Sequence, residues 1–398
     1  MDILATRPTV TALHLSSFKS HRGTQVPLAP LTLLTGASGT GKSGVLQAYA
    51  LLSRLCGGDP LGRALETVTG GAAACVPDGA RPDAQGRRGF RIGCTTDGPA
   101  GPVRLDLAVQ AEPEVRVVGE RLTGGGRVLL STALTDPGRP RVQAAWHTAG
   151  ATPVTRAPLP DDQLGTALLP LCVAGRTEGQ RQVLAAAEQV LVALRATFPC
   201  DPRPEAMRAA TARPPEGTVP AQRTPGGSGA PGRLRTVCDN LPAVLERTSR
   251  ECVRRHAALV SAVRAGCSGP AVEGLRAEAA QTTDGARTVV RAVLDRAGAA
   301  AMPVERLGDG ELRYLALALV LLTGPDVLEM DAVAEVLPAL QVLTVVADGL
   351  DRCLDGRQTH ELLDLAVRMV GRGHIRLLGT VRDPSAVEGR PGVGVVRL

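Results

Sequence analysis

Only two lysines, Lys19 and Lys42, stand among the 45 Lys and Arg residues of this 398-residue chain. Aromatic residues are as scarce, at 2%, so no platform for stacking nucleic-acid bases is visible and a core must be assembled from Leu, Val and Ala. The nine cysteines include no C-x-x-C pair, and the six histidines show no ligand spacing. That pattern argues against a zinc site and predicts free thiols in a reducing compartment rather than a disulfide framework. Long apolar runs are missing too. The longest, Tyr314 to Leu322, is less than half of the ~20 residues that cross a bilayer, and the N-terminus carries no apolar signal core. These absences predict a cytoplasmic protein without a membrane segment.

What is present reads as globular: 44% hydrophobic and 21% charged residues, in a chain long enough for two lobes. A formal net charge of +6 permits association with nucleic acid without requiring it. The most informative stretch is Gly36-Ala37-Ser38-Gly39-Thr40-Gly41-Lys42-Ser43, a G-x-x-x-x-G-K-[ST] string. The apolar run Leu31 to Thr35 precedes it and helix-forming residues from Val45 follow. This strand–loop–helix setting is the one a phosphate-binding loop needs. Glycines let successive N–H groups turn inward toward phosphate oxygens, and the helix N-terminus adds positive potential. Lys42 is expected to reach the β- and γ-phosphates and the Ser43 hydroxyl to ligate Mg²⁺. A planar guanidinium does not fit where a compact ammonium is needed. A lysine at position 42 in a chain that otherwise uses arginine therefore reads as a chemical requirement, and Lys19 invites the same reading.

Alternation and turn residues predict a strand over Val10 to Leu15 and a short edge strand over Gln25 to Leu28. An antiparallel meander is expected through Phe90 to Cys94, Val103 to Val109, Glu114 to Leu122 and Val128 to Leu130. Helical periodicity marks Leu164 to Val173, Gln180 to Thr197, and a long amphipathic helix from an Asp239-Asn240 cap to about Ala265. Arg247, Arg250, Arg254 and Arg255 on that helix form either a solvated face or a phosphate-contacting one. Between these helices, Thr211 to Gly232 is rich in Pro, Gly and Ser and is expected to be disordered. The C-terminal third returns to an α/β pattern. A helix is expected over Gly310 to Thr323, a buried strand over Val342 to Ala347 ending in Asp348, a helix over Gln358 to Val370, and strands over Ile375 to Thr380 and Val393 to Leu398.

An apolar run ending in an acidic residue at a strand's carboxyl end is the Walker B pattern, and it supports Mg²⁺. Together with this loop, three further stretches carry a family likeness. His14-Leu15-Ser16-Ser17-Phe18-Lys19-Ser20 resembles the "nFks" segment, and Leu307-Gly308-Asp309-Gly310-Glu311-Leu312-Arg313 resembles the L-S-D/G-G-x-x-R signature. Asp348-Gly349-Leu350-Asp351-Arg352-Cys353-Leu354-Asp355 is similar to Walker B plus D-loop, D-E-P-x-x-x-L-D. With these residues the chain resembles the RecF/SMC-like branch of ABC ATPases, a group of AAA-family ATP-binding proteins. Gly119-Glu120-Arg121-Leu122 and Asp239-Asn240-Leu241 extend the likeness over most of the chain.

The resemblance implies an α/β P-loop NTPase of the ABC-head type. Residues 1–150 would hold the P-loop and an antiparallel lobe, 151–300 a helical insertion with a disordered linker near 211–235, and 301–398 the signature, Walker B and D-loop on a parallel core. It also implies a head-to-head homodimer with two ATP molecules, each held on one copy's Gly36–Ser43 loop and met by the other copy's Gly308-Asp309-Gly310. Asp348 would support Mg²⁺. DNA, and a partner effector protein, are the implied targets. Two departures bear on hydrolysis. The catalytic glutamate position falls on Gly349, and the switch histidine position on Arg382. A shifted register makes Asp348 the base and Ala347 the metal-side residue, and Asp351 is a candidate substitute base. Loss of a general base commonly costs about 10²–10⁴ in rate, so ATP binding with slow hydrolysis is expected, and a nucleotide-sensing module without useful turnover is the alternative. Gln110 is a candidate Q-loop residue.

Overall fold

The meander expected between Phe90 and Leu130 belongs to a larger antiparallel sheet. The computed structural model describes residues 7–149, 153–212, 233–281, 288–330 and 341–398, and the chain divides into two units. Most of the stretch expected to be disordered, 213–232, lies outside the described residues, whereas Thr211 and Ala212 close a helix.

The first unit comprises residues 1–197, 333–344 and 396–398. Its elements are β1 (Thr9–Phe18), β2 (His21–Pro27), β3 (Leu31–Thr35), α1 (Lys42–Cys56), α2 (Leu61–Thr69), β4 (Arg88–Asp97), β5 (Val103–Glu112), β6 (Arg116–Gly124), β7 (Arg127–Ala133), β8 (Arg141–His147), β9 (Val154–Pro160), α3 (Gly165–Cys172) and α4 (Glu178–Arg195). Strand order in the eight-stranded sheet is β2-β1-β4-β5-β6-β7-β8-β9, with antiparallel neighbours throughout. Period-two alternation sets which face is dry: in β5, Val103, Leu105, Leu107 and Val109 are buried while Arg104 is exposed. Helix α4 lies against β1 and β4–β8 and buries Val183, Ala186, Ala187, Val190, Leu191 and Leu194 at helical spacing. Its buried Gln189 is satisfied, accepting from the Ala100 N–H at 2.8 Å and donating to the Gly101 carbonyl at 2.7 Å. Strands β8 and β9 were not expected from the sequence. Small residues such as Ala144 and Ala145 and the prolines of β9 mute their alternation, although Val142, Ala144 and Trp146 are all buried.

Glu120, in a stretch singled out by the family likeness, is 3% exposed. Its carboxylate accepts from the Gly165 N–H at 2.6 Å, the Thr166 N–H at 2.7 Å and the Thr166 hydroxyl. It thereby satisfies orphan donors at the start of α3. Burial pushes this carboxyl up from its ordinary range while those donors pull it down. Glu120→Gln keeps one acceptor and aims an amide N–H at donors, so a destabilisation of about 2–4 kcal/mol is expected. Urea unfolding monitored on the full chain checks it.

The second unit comprises residues 198–332 and 345–395. Its elements are β10 (Thr197–Pro199), α5 (Pro204–Ala212), α6 (Leu241–Glu251), α7 (Val253–Gly266), β11 (Val272–Gln281), β12 (Thr288–Arg296), β13 (Met302–Pro303), α8 (Asp309–Leu322), β14 (Leu343–Ala347), α9 (Gly356–Val370), β15 (Ile375–Thr380) and β16 (Gly394–Arg397). The long helix expected after Asn240 is two helices, broken at the extended Cys252. The break lets α6 lay Leu241, Val244 and Leu245 on the β11–β12 hairpin while α7 turns Leu259 and Val263 to α8 and α9. The Asn240 side chain does not cap α6. It donates to the Arg233 carbonyl at 2.6 Å and accepts from the Arg235 N–H at 3.0 Å, the local backbone competition that Asn side chains favour. The α8 core is near-continuous, with Leu312 to Leu321 all buried.

Candidate functional site

In the first unit, β3 is wholly buried and delivers the chain to a loop whose Ala37, Ser38 and Gly39 are exposed. Gly36, Gly39 and Gly41 have φ of 141°, 88° and 96°, values that only glycine takes without strain. The Lys42 ammonium folds back over the loop, donating to the Gly36 carbonyl at 2.7 Å and the Ala37 carbonyl at 2.8 Å. The helical ladder of α1 begins with the Val45 N–H on the Gly41 carbonyl at 3.1 Å. The N–H groups of Lys42, Ser43 and Gly44 therefore stand outside that ladder at the loop's mouth, and Ser43 is exposed. A glycine-rich loop that carries an ammonium at a helix N-terminus is an anion-accepting arrangement.

Sequence reading missed His21. It is 4% exposed, its Nε2 donates to the Gly41 carbonyl at 3.0 Å, and its Nδ1 pairs with the Thr24 hydroxyl at 3.3 Å. The ring occupies the space a side chain at Gly41 would need, where a Cβ would meet Nε2 at 2.5 Å and the Ser20 hydroxyl at 2.6 Å. The Lys19 methylenes run past Gly44, and its backbone takes φ 51°. Both lysines of the chain thus stand at one loop, as does the histidine that follows the "nFks"-like segment. Gln110 is buried and donates to the Glu114 carbonyl at 3.0 Å. It lines a 340 Å³ cleft with Ser17, Arg87, Arg88 and Arg91, an environment of its own within the sheet.

In the second unit, Asp348 is exposed just past the end of β14, and its Oδ1 accepts from the Thr380 hydroxyl at 2.6 Å. Gly349 follows at φ 64°. Its N–H donates to Thr380 Oγ1 at 2.7 Å and its carbonyl accepts from Arg313 at 3.0 Å. Asp351 is committed to a turn, with its Oδ2 accepting from the Arg382 and Asp383 N–H groups at 2.8 and 3.0 Å. That leaves the Arg382 side chain exposed. The signature-like residues begin α8. Gly308 and Asp309 are exposed, and a Cβ at Gly310 would strike the Cys353 carbonyl, so the first turn of α8 lies directly on the D-loop-like segment.

Arg313, six residues into the same stretch, is 1% exposed. It donates to the Arg352 and Gly349 carbonyls at 3.0 Å each and to the Pro202 carbonyl, with Asp201 Oδ1 at 3.8 Å. Burial, and next the Arg352 charge, lower its pKa, yet a guanidinium stays charged. Of the four arginines noted on the α6–α7 stretch, Arg247 pairs with Glu251 at 2.8 Å and Arg250 with Glu246 at 2.6 Å, as a solvated helix face does.

No family model and no curated protein matches the chain. Solved structures similar to it include an SMC head bound to the C-winged helix domain of ScpA, at 13% identity, with 97% of this chain and 95% of that one covered and a TM-score of 0.46. The SMC head domain from Thermotoga maritima shares 12% identity over 96% and 92% of the two chains, at a TM-score of 0.42. The SMC head with an extended coiled coil, bound to the C-terminal domain of ScpA derived from Pyrococcus furiosus, shares 12% over 97% and 95%, at 0.45. Similarity at this level leaves the site to be read from the residues themselves. Among the described residues, no helix is long and apolar enough to cross a membrane.

Proposed function

We propose that this chain is an ATP-binding protein that forms a homodimer around ATP·Mg²⁺ and hydrolyses it slowly. The observation that carries this is the Gly36–Ser43 loop, with its positive-φ glycines, the helix that starts at Lys42 and the Lys42 ammonium folded over it. A triphosphate would exchange the two loop carbonyls that Lys42 now holds for anionic oxygens, which accept far stronger hydrogen bonds. The donor set fits Mg²⁺, which takes one or two protein oxygens together with substrate phosphates. In the first unit, the exposed Ser43 hydroxyl is the group that would hold it, and the ion would neutralise developing phosphate charge. The Gly308-Asp309-Gly310 turn, exposed at its first two residues, is the surface we assign to the nucleotide held by the other copy. Particle mass in solution with and without ATP and Mg²⁺ tests the reading, and a mass unchanged by ATP would sink it.

The second reading is a nucleotide-sensing module that signals to a partner protein, and the backbone at Gly349 favours it. At φ 64°, with a Cβ position 3.3 Å from the Arg352 side chain, this site resists any β-carbon, and a left-handed backbone costs an L-residue about 1–2 kcal/mol. Gly349→Glu is therefore expected to lower the melting temperature while leaving ATP affinity nearly intact. A steep rise in turnover in the folded variant would identify a switch whose base is missing. Asp351, bound to the turn that carries Arg382, is better suited to positioning that arginine than to activating water.

DNA is the target we propose. Supporting it is the face of the large sheet opposite its buried rows. One cross-strand row there runs Gly93, Asp106, Arg121, Ser131, Ala145 and Arg156, with small residues between its two arginines and Asp106 paired to Arg104 at 2.8 Å. Arg91, Arg121 and Arg156 are exposed and make no ion pair among the described residues. Binding carried by such contacts weakens steeply with salt, and no mobility shift with duplex or single-stranded DNA at low salt would remove it.

A further inference from the structure

The turn assigned to the second copy's nucleotide is acidic. Asp309 and Glu311 both lie in the first turn of α8, a placement that suits the helix dipole but repels an incoming triphosphate. Each carboxylate has its own arginine. Arg296 pairs with Glu311 Oε1 at 2.9 Å, and Glu311 Oε2 also accepts from the Gly308 N–H at 3.3 Å. Arg208, from α5, spans the signature-like turn from the other side. It pairs with Asp309 Oδ1 at 2.7 Å and donates to the Leu307 carbonyl at 2.8 Å and the Glu305 carbonyl at 3.2 Å. The two pairs differ in exposure. The Arg296 side chain is 7% exposed, whereas those of Arg208 and Asp309 are 36% and 56% exposed. The Glu311 pair, with its carboxylate side chain 22% exposed, is thus the more buried of the two, and the Asp309 pair is on the surface that a second copy would meet.

We infer that Arg208 is the positioning residue that lets this turn accept an anion, by cancelling the Asp309 charge and fixing the Leu307 backbone. The inference rests on the dimer reading above and adds the residue on which closure depends. Nothing in the sequence around Arg208 marks it, because its partner lies on another helix far along the chain. Its charge is the property that matters, since Asp309 without a counter-cation would face the triphosphate as a like charge.

Four full-length variants distinguish charge from geometry: Arg208→Gln, Arg208→Lys, Asp309→Asn, and Arg208→Gln with Asp309→Asn. The probe is ATP with Mg²⁺, read as ATP-dependent dimer mass and, separately, as ATP affinity at concentrations where the chain is monomeric. Arg208→Gln retains an N–H donor for the turn but leaves Asp309 uncompensated, so the dimer, which has two such turns, should weaken about 3- to 30-fold. Arg208→Lys should dimerise close to wild type, and the double variant should recover most of the loss. Monomer ATP affinity should be the same in all four. Wild type dimerising and Arg208→Gln dimerising equally well would overturn the inference and leave the dimer reading standing. A loss in Arg208→Gln that Asp309→Asn fails to restore would overturn it as well. If wild type itself stays monomeric with ATP, both fall.

Discussion

Arg313→Met is expected to destabilise the protein by about 3–5 kcal/mol, the range seen when one member of a buried charged network is removed. Methionine fills much of the arginine volume, so little of the cost is a cavity. The loss comes from three carbonyls, those of Pro202, Gly349 and Arg352, left in the interior without their donors at about 1–3 kcal/mol apiece, partly relieved by relaxation. Asp201 is not orphaned, because Arg352 and Arg203 also reach it, at 2.8 and 2.9 Å. Arg313→Lys should recover only part of the stability, since one ammonium cannot span donors that a planar fork aims in three directions. Urea midpoints of the two variants against wild type check this, and a midpoint shift worth less than 1 kcal/mol would show the network to be dispensable. Because the same guanidinium joins the first turns of α8 to the segment after β14, the variant should also lose ATP-dependent association before it loses its fold.

Lys42→Ala should behave in the opposite way, with function lost and fold kept. The ammonium contacts only the carbonyls of an exposed loop, so its removal leaves no buried group unpaired and stability should change by less than about 1 kcal/mol. Charge-assisted bonds to phosphate are worth roughly 1.5–3 kcal/mol each. Losing two therefore lowers ATP affinity by about 10²-fold or more, with phosphate release falling to background. Lys42→Arg is not expected to rescue, because the guanidinium replaces a compact point charge with a plane. Equal phosphate release from wild type and Lys42→Ala would mean that any turnover arises elsewhere.

These two residues mark how far the sequence could be read. Lys42 works within a run of eight consecutive positions, so its loop, its glycines and its helix are all specified locally, and the spacing alone identifies them. The same holds for strands with clean alternation, such as β5, and for β14, whose apolar run ends at Asp348. Arg313 is visible in the sequence as one letter of a signature-like string, yet its role comes from carbonyls at positions 202, 349 and 352. His21 is adjacent to a segment that drew notice, but its contact with the Gly41 carbonyl depends on the β1–β2 turn folding against α1.

Asp351 makes the same point. Its position suggested a substitute base, and the structure shows its Oδ2 holding the backbone of the Arg382 turn. Gly349 reads in sequence as a missing glutamate, whereas its φ of 64° is a backbone that a glutamate would take only with strain. The Arg208–Asp309 pair left no trace in the linear pattern.

By itself, the amino-acid sequence determined the glycine-rich Gly36–Ser43 turn between a buried strand and a helix, and the alternating strands of the antiparallel sheet, because each is a matter of neighbours within a few residues. Tertiary structure alone decided which charges are cancelled, which carbonyls find donors and which backbone torsions a substitution would have to overcome. Those depend on groups tens to a hundred residues apart meeting at hydrogen-bond distance, as His21 meets Gly41 and Arg208 meets Asp309, and no local pattern encodes that meeting.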